Sequence, residues 1–85
     1  MRVSTRTTYG VRLMAFLAAA PSGGPSLLKE IAAKESISEK YLSQIVIPLK
    51  QSGILRSVRG AHGGYVLARP PDEITLREIV DRLSE

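Results

Sequence analysis

The stretch with the most distinctive chemistry is SVRGAHGGYVLARPP, residues 57–71, in which a glycine-rich centre separates two apolar-rich runs. Arg56 and Arg59 precede that centre, and His62 lies within it. Guanidinium groups bind anions, and glycine allows a backbone to approach another surface closely. These residue types leave three interpretations open: a phosphate-binding loop, a plain hairpin turn, or a basic finger that enters an anionic partner.

A second candidate stretch is SEKYLSQ, residues 38–44, which opens a predicted helix. Leu42 and Ile45 mark the core side of that helix, so the outward side chains, in whole or in part, are Glu39, Lys40, Tyr41, Ser43 and Gln44. Glutamine pairs bidentately with adenine, serine contacts any base, and a lysine beside free helix N–H groups suits phosphate. An ordinary solvated helix face is the alternative, but a polar and mostly uncharged surface favours the reading of bases.

Helical periodicity and capping residues predict the elements that position the second stretch. The first helix runs from about Thr5 to Ala20 and is ended by the proline and glycine residues at 21–25. Ser26 is the predicted N-cap of a second helix that ends near Glu35. The third helix spans residues 38–52, with Ser38 as N-cap, Gly53 after its end and Pro48 inside its last turns.

Two short strands, residues 54–59 and 65–69, are predicted on either side of the glycine centre. The last helix covers about residues 75–84, because Thr75 and Glu78 form a capping box that Ile74 and Ile79 flank as a hydrophobic staple. Its predicted apolar stripe is Leu76, Ile79, Val80 and Leu83. Two short helices with a tight turn, followed by a hairpin, predict a winged helix-turn-helix: a mostly α fold with a two-stranded β-hairpin wing.

Composition and charge narrow the class of partner. The chain of 85 residues makes one small domain, and its net charge of +4 divides unevenly. Residues 1–71 carry 10 Lys/Arg against 3 Glu (+7), and residues 72–85 carry 2 Arg against 5 Asp/Glu (−3). A basic body of this kind suggests a polyanionic partner. With no cysteine and one histidine, the sequence predicts no cofactor, disulfide or metal site.

The N-terminal apolar run at residues 13–20 follows three arginines and superficially matches a signal peptide. It also fits one stripe of an amphipathic helix, the interpretation we favour. No stretch approaches the roughly 20 apolar residues of a membrane span. We therefore expect no membrane association and a cytoplasmic location.

The sequence resembles the Rrf2 (BadM) family of bacterial winged helix-turn-helix transcription regulators, and the resemblance covers nearly the whole chain. Its motifs are ISEKYL (37–42), PLK (48–50), GIL (53–55), SVRG (57–60), GGYVLARP (63–70), the opening MRVST (1–5) with Tyr9, and ITL (74–76). Ser36 stands where the family commonly has glycine. A left-handed backbone at this serine would cost on the order of 1 kcal/mol.

The resemblance implies a homodimer on a partly palindromic double-stranded DNA operator. It places the predicted helix 38–52 in the major groove, Arg59 of the wing (54–69) in the minor groove, and the residues near Thr5 and Arg6 on phosphates. The complete set of predicted DNA-binding residues is Arg2, Thr5, Arg6, Ser38, Lys40, Tyr41, Ser43, Gln44, Arg59, Gly60, His62, Gly63 and Gly64.

Family members also continue into a long dimerisation helix and, in sensing members, three cysteines that bind an iron–sulfur cluster. Residues 1–85 contain neither feature, which leaves two alternatives: the DNA-binding domain of a longer regulator, with the last helix leading to a missing dimerisation region, or an unusually short member of the family. Dimerisation is expected to be weak, because the last helix is short.

Two other classes of function were weighed. An enzyme is not expected, because the chain has no paired-carboxylate or nucleophile–histidine set, and its glycine run lacks both phosphate-binding fingerprints. A winged helix that binds protein or RNA is the alternative. The basic wing and basic N-terminal arm favour duplex DNA over that alternative.

Overall fold

The computed structural model describes residues 4–20, 24–61 and 63–84. Four α-helices and two strands follow one another as α1 (Thr5–Ala18), α2 (Leu28–Glu35), α3 (Glu39–Gln51), β1 (Leu55–Val58), β2 (Gly64–Leu67) and α4 (Leu76–Leu83). A short 3₁₀-helix, Pro71–Glu73, precedes α4. The predicted class, mostly α with a two-stranded hairpin, is confirmed.

Helix α1 begins at a capping serine and buries one side against the other helices. The Ser4 hydroxyl accepts a hydrogen bond from the Thr7 N–H at 3.1 Å, which satisfies one free donor of the first turn. Leu13 and Leu17, from the apolar run at residues 13–20, are buried. The helix ends at Ala18, two residues before the predicted end.

The predicted cap of α2 is wrong. Leu27, without a side-chain hydrogen bond, precedes the helix, and Ser26 instead forms an isolated antiparallel bridge with Tyr65 of β2. The two residues exchange backbone hydrogen bonds of 3.0 and 2.8 Å. A partner strand distant in sequence therefore decides the role of Ser26, which local capping rules cannot foresee.

The turn between α2 and α3 is tight and strained. Ser36 has φ 55° and ψ 43°, so its backbone is left-handed, the conformation for which we assigned a cost to serine. Ile37 is buried in the core, and its N–H donates to the Ala32 carbonyl at 3.0 Å. Ser38 then caps α3 as predicted, since its hydroxyl accepts the Tyr41 N–H at 3.2 Å.

Helix α3 lies between the other elements and packs against α1, α2, α4 and β1. Its four buried residues are Leu42, Ile45, Val46 and Leu49. Pro48 lies inside the helix, as predicted, and the helix continues to Gln51. Gly53 follows the C-cap residue with φ +80°, the left-handed conformation typical of a helix end.

The hairpin pairs β1 and β2 in antiparallel register, from Leu55 opposite Leu67 to Val58 opposite Gly64. Its base joins the core, because Ile54, Leu55 and Val66 are buried. Hydrogen bonding continues one step past the strands, where the Ala68 N–H donates to the Ile54 carbonyl at 2.9 Å. We call β1, β2 and the connecting residues 59–63 the wing.

Helix α4 starts at Thr75, whose hydroxyl accepts the Glu78 N–H at 3.1 Å. The Glu78 carboxylate binds the Arg69 guanidinium at 2.5 Å. Ile79 and Leu83 of the predicted stripe are buried, but Leu76 is 62% exposed. Leu76 lies on the same side of α4 as Ile79, beside an apolar groove lined by Val11 and Met14 of α1, and the groove leaves its side chain exposed. No helix within the described ranges is long and apolar enough to cross a membrane.

Candidate nucleic-acid interface

The surface of α3 that faces away from the core is almost entirely polar. We define the outward face of α3 by its exposed residues, which are Glu39, Lys40, Ser43, Gln44, Ile47, Lys50 and Gln51. The four buried residues on the other side fix this orientation. The predicted base-reading residues Lys40, Ser43 and Gln44 therefore lie together, exposed, on one side of one helix.

Two predicted site hydroxyls already have partners within the helix. The Ser38 hydroxyl caps the first turn, and the Ser43 hydroxyl donates to the Lys40 carbonyl at 2.6 Å. The Ser43 oxygen retains lone pairs that can accept a hydrogen bond from a base amino group. This arrangement gives Ser43 an acceptor role rather than a donor role.

Tyr41 is half-buried and joins α3 to α1. Its ring meets the Tyr9 ring edge to face, with centroids 5.5 Å apart and planes at 84°. The Arg12 guanidinium lies 5.7 Å from the Tyr9 ring centroid, within the range of a cation–π contact. Tyr41 is thereby held at the start of α3 with one part of its side chain accessible.

Arg12 also links α1 to the end of α2. Its Nε donates to a Glu35 carboxylate oxygen at 3.2 Å, and a terminal nitrogen donates to the Glu35 backbone carbonyl. Glu35 is the last residue before the left-handed Ser36. The turn between α2 and α3 is thus tied to the same arginine that contacts Tyr9.

Arg59 follows the last residue of β1 and is exposed at the start of the wing's connecting segment. Gly60 is also exposed, has φ +111° and has open space where a side chain would begin. Arg59 can therefore reach away from the body of the protein, as the predicted groove contact requires.

At Gly63 and Gly64, contacts within the protein explain why the residue is glycine. A Cβ on Gly63 would lie 2.2 Å from the Val58 carbonyl oxygen, and one on Gly64 would lie 2.3 Å from the Ser26 carbonyl oxygen. Close packing within the chain thus accounts for Gly63 and Gly64 without DNA. Their contact with DNA stays a prediction, as it does for Gly60.

The remaining predicted site residues lie at the N-terminus and the wing tip. Thr5 is exposed in the first turn of α1, and Arg6 is half-buried beside it. Arg2 and His62 lie outside the described residues.

Sequence reasoning missed Ile47, which is 53% exposed on the outward face of α3. The signal was present in the spacing, because residue 47 follows Gln44 by three positions and Ser43 by four, which places all three on the same side of a helix. An apolar residue at a position that should be polar was the feature to notice.

The chain matches the family model Rrf2, described as an iron-dependent transcriptional regulator, over residues 3–85. The transcriptional regulator CymR of Bacillus subtilis is 46% identical over 80 residues, which is 94% of this chain and 58% of that protein. The regulator IscR of Cereibacter sphaeroides is 37% identical over 87 residues, covering all of this chain and 56% of the relative. This chain therefore spans little more than half the length of these curated relatives.

Solved structures agree with the fold. The B. subtilis CymR structure, described as that of the global cysteine regulator, superposes with a TM-score of 0.95 at 44% identity, covering 99% of this chain and 65% of that one. The IscR structure from T. potens gives a TM-score of 0.92 at 44% identity, covering all of this chain and 62% of that one. The winged-helix prediction is confirmed. The relatives named here are transcriptional regulators, in agreement with the prediction of a regulator rather than an enzyme.

The family description names iron, but residues 1–85 do not offer the side chains that usually bind it. The 85 residues contain no cysteine and one histidine. Within the described ranges, no group of three histidine, cysteine, aspartate or glutamate side chains converges on a point. We derive no function of these residues from iron.

Proposed function

This chain belongs to the Rrf2 family, and we propose that its residues form the sequence-specific DNA-binding domain of a transcriptional regulator. The supporting observation is the outward face of α3, an exposed polar surface on a helix that follows a tight turn after α2. In helix-turn-helix proteins the second helix lies in the major groove, and its side chains meet the base edges there.

Within this proposal, α3 and its caps at residues 38–52 occupy the major groove. Gln44 is placed to pair with adenine, Ser43 to accept from a base amino group, and Lys40 to bind a phosphate. The Ser38 cap and the first N–H groups of α3 lie where a phosphate gains from the helix dipole.

We propose that the wing approaches the neighbouring minor groove. Arg59 is exposed and lies beyond a strand that packs against α3, so both surfaces can meet the same duplex. A guanidinium gains from the negative potential that deepens where the minor groove is narrow. Thr5 and Arg6 at the start of α1, with Arg2, would add phosphate contacts.

We further propose that the regulator acts in the cytoplasm and binds DNA as a homodimer, weak for these 85 residues. We expect the association to be weak because α4 is only eight residues long and its buried positions, Ile79, Val80 and Leu83, pack against this chain's own core. Sedimentation at low micromolar concentration should show mostly monomer. A tight dimer under those conditions would contradict the weak association.

The test of DNA binding is its dependence on salt, measured with a random-sequence duplex. A domain that neutralises about four phosphates loses about 100-fold in affinity between about 50 and 200 mM salt, because bound counterions are released. A response that stays flat would reject the DNA proposal and favour a protein partner.

The remaining alternative, a winged helix that binds RNA, is separated by a duplex RNA of the same sequence. The deep and narrow major groove of A-form RNA does not admit a helix. We therefore expect the DNA duplex to bind more tightly. Equal or stronger binding of the RNA duplex would overturn the major-groove assignment.

A further inference from the structure

Ile47 is the one large apolar side chain on the otherwise polar outward face of α3. It is 53% exposed, and its neighbours at three and four positions are Ser43, Gln44, Lys50 and Gln51, all of them exposed. A single exposed apolar residue carries no meaning by itself. Its place among the proposed base-reading residues is what gives it one.

The helix geometry puts Ile47 within reach of its own base pair. The seven residue steps from Lys40 to Ile47 advance about 10 Å along the helix axis at about 1.5 Å per residue. Base pairs of a duplex repeat about every 3.4 Å along the axis. The outward face thus extends over about three base-pair steps, and Ile47 lies one helical turn beyond Gln44.

An isoleucine in the major groove has a restricted choice of partner. It cannot bind a phosphate, and covering a base donor or acceptor with a hydrocarbon leaves that group without its hydrogen bond to water. The C5 methyl of thymine is the apolar group that the major-groove edges offer. Contact between two hydrocarbon groups removes both from water at no polar cost.

We propose that Ile47 is a specificity-determining residue that selects thymine by apolar contact with its C5 methyl group. This inference rests on the proposed function, because it needs α3 in the major groove. It adds a preference that the polar residues of α3 do not supply, since hydrogen bonds alone do not detect the methyl group.

The surroundings of Ile47 favour DNA over a docked protein as its partner. A protein-binding surface is built around contiguous apolar area, and the four neighbours of Ile47 on this face are polar or cationic. The acidic residue of the outward face, Glu39, lies two turns away at the start of the helix. No acidic residue of α3 therefore lies beside Ile47.

The experiment removes one methyl group at a time from the DNA. The 85-residue chain first selects a preferred duplex from a random-sequence library, and each thymine of that duplex is then replaced, one at a time, by deoxyuridine, which lacks the methyl group. We expect at least one replacement to weaken binding by about fourfold, the value of one buried methyl, or about 0.8 kcal/mol.

Ile47→Ala should lose the sensitivity to that one replacement and keep the sensitivities found at other positions. Ile47→Val, which retains a branched side chain, should keep part of the sensitivity to that one replacement. Leu76→Ala is the matched control, because Leu76 is an exposed apolar residue on α4, outside the proposed interface, and it should behave like the parent chain. Unchanged melting temperatures will show that each variant is folded.

The outcomes separate the two levels of the proposal. If the chain selects a duplex but Ile47→Ala responds to every replacement as the parent does, the thymine contact is overturned and the proposed function stands. If replacing each thymine of the selected duplex leaves the affinity unchanged, the thymine contact is likewise overturned and the proposed function stands. If no duplex is selected and binding is independent of salt, the proposed function fails and the thymine contact fails with it.

Discussion

Two regions are proposed to meet DNA, α3 and the wing, and different kinds of contact hold them in place. Helix α3 is fixed by side chains: four of its residues are buried, and Tyr41 packs against Tyr9. The wing is held at its base by the buried side chains Leu55 and Val66. Nearer its tip it is held by backbone contacts, where Ser26 pairs with Tyr65 and the Gly64 backbone lies against Ser26.

This difference separates the positions that can vary from those that cannot. On α3, the outward residues can change without disturbing the fold, because the buried side supports the helix. In the outer part of the wing, the backbone itself makes the contacts at Gly64, so one methyl group added there must displace the strand or Ser26. Arg59 and Gly60 lie beyond these backbone contacts and are exposed, and nothing lies within 4 Å of a Cβ placed on Gly60.

The largest effect is expected from Gly64→Ala. The new Cβ would meet the Ser26 carbonyl oxygen at 2.3 Å, and the glycine has φ +140°, which disfavours any side chain. We expect the free energy of unfolding to fall by about 2–4 kcal/mol, from overpacking and backbone strain together. Denaturant unfolding followed by circular dichroism measures it.

Gly60→Ala is the matched control for this variant. Gly60 also has a positive φ, but nothing lies within 4 Å of its Cβ position. The substitution should cost about 1–2 kcal/mol, the backbone strain alone. Equal losses at the two glycines would show that packing against Ser26 does not hold the wing.

The next effect in size concerns binding. Arg59→Ala should weaken binding to a selected duplex by about 1–3 kcal/mol and leave the melting temperature unchanged, because the side chain is exposed. Arg77→Ala removes the same charge from α4, where the side chain is 86% exposed, and should have little effect on affinity. Fluorescence anisotropy with labelled duplex measures both variants. If a folded Arg59→Ala chain binds as tightly as the parent, the minor-groove assignment is wrong.

The smallest expected effect is a gain in stability from a substitution in the turn between α2 and α3. Ser36→Gly should raise the free energy of unfolding by about 0.5–1 kcal/mol, because relief of left-handed strain exceeds the added entropy of the unfolded chain. Ser36→Ala, which stays strained, serves as the control in thermal unfolding. A loss of stability in Ser36→Gly would mean that the serine side chain stabilises the turn more than its backbone costs.

Much of the fold was predictable because its signals are local. The cap at Ser38, the apolar spacing of α3 and the glycine at 53 each act within one or two helical turns. The same local pattern predicted which residues of α3 face outward. Ile47 was not predicted because the core positions of α3 alone define the helix, and an apolar residue on its polar side adds nothing to that pattern.

The features that local rules did not foresee depend on how the elements pack. Ser26 is a good helix cap by type, but a backbone bridge to Tyr65 places it elsewhere. Leu76 fits a helical stripe, yet no neighbouring element covers it. The reason for Gly63 and Gly64 likewise depends on which carbonyl groups lie beside them.

By itself, the sequence determined the order of the elements, the polar side of α3 and the basic character of the wing. These follow from residue types and from spacings of two to four positions, which local backbone geometry converts directly into caps, faces and turns. Only the tertiary structure decided how the wing is anchored, that Ser26 pairs with Tyr65, and how far Leu76 stays exposed. Those features depend on contacts between distant segments, which form when burial of the common core brings the segments together.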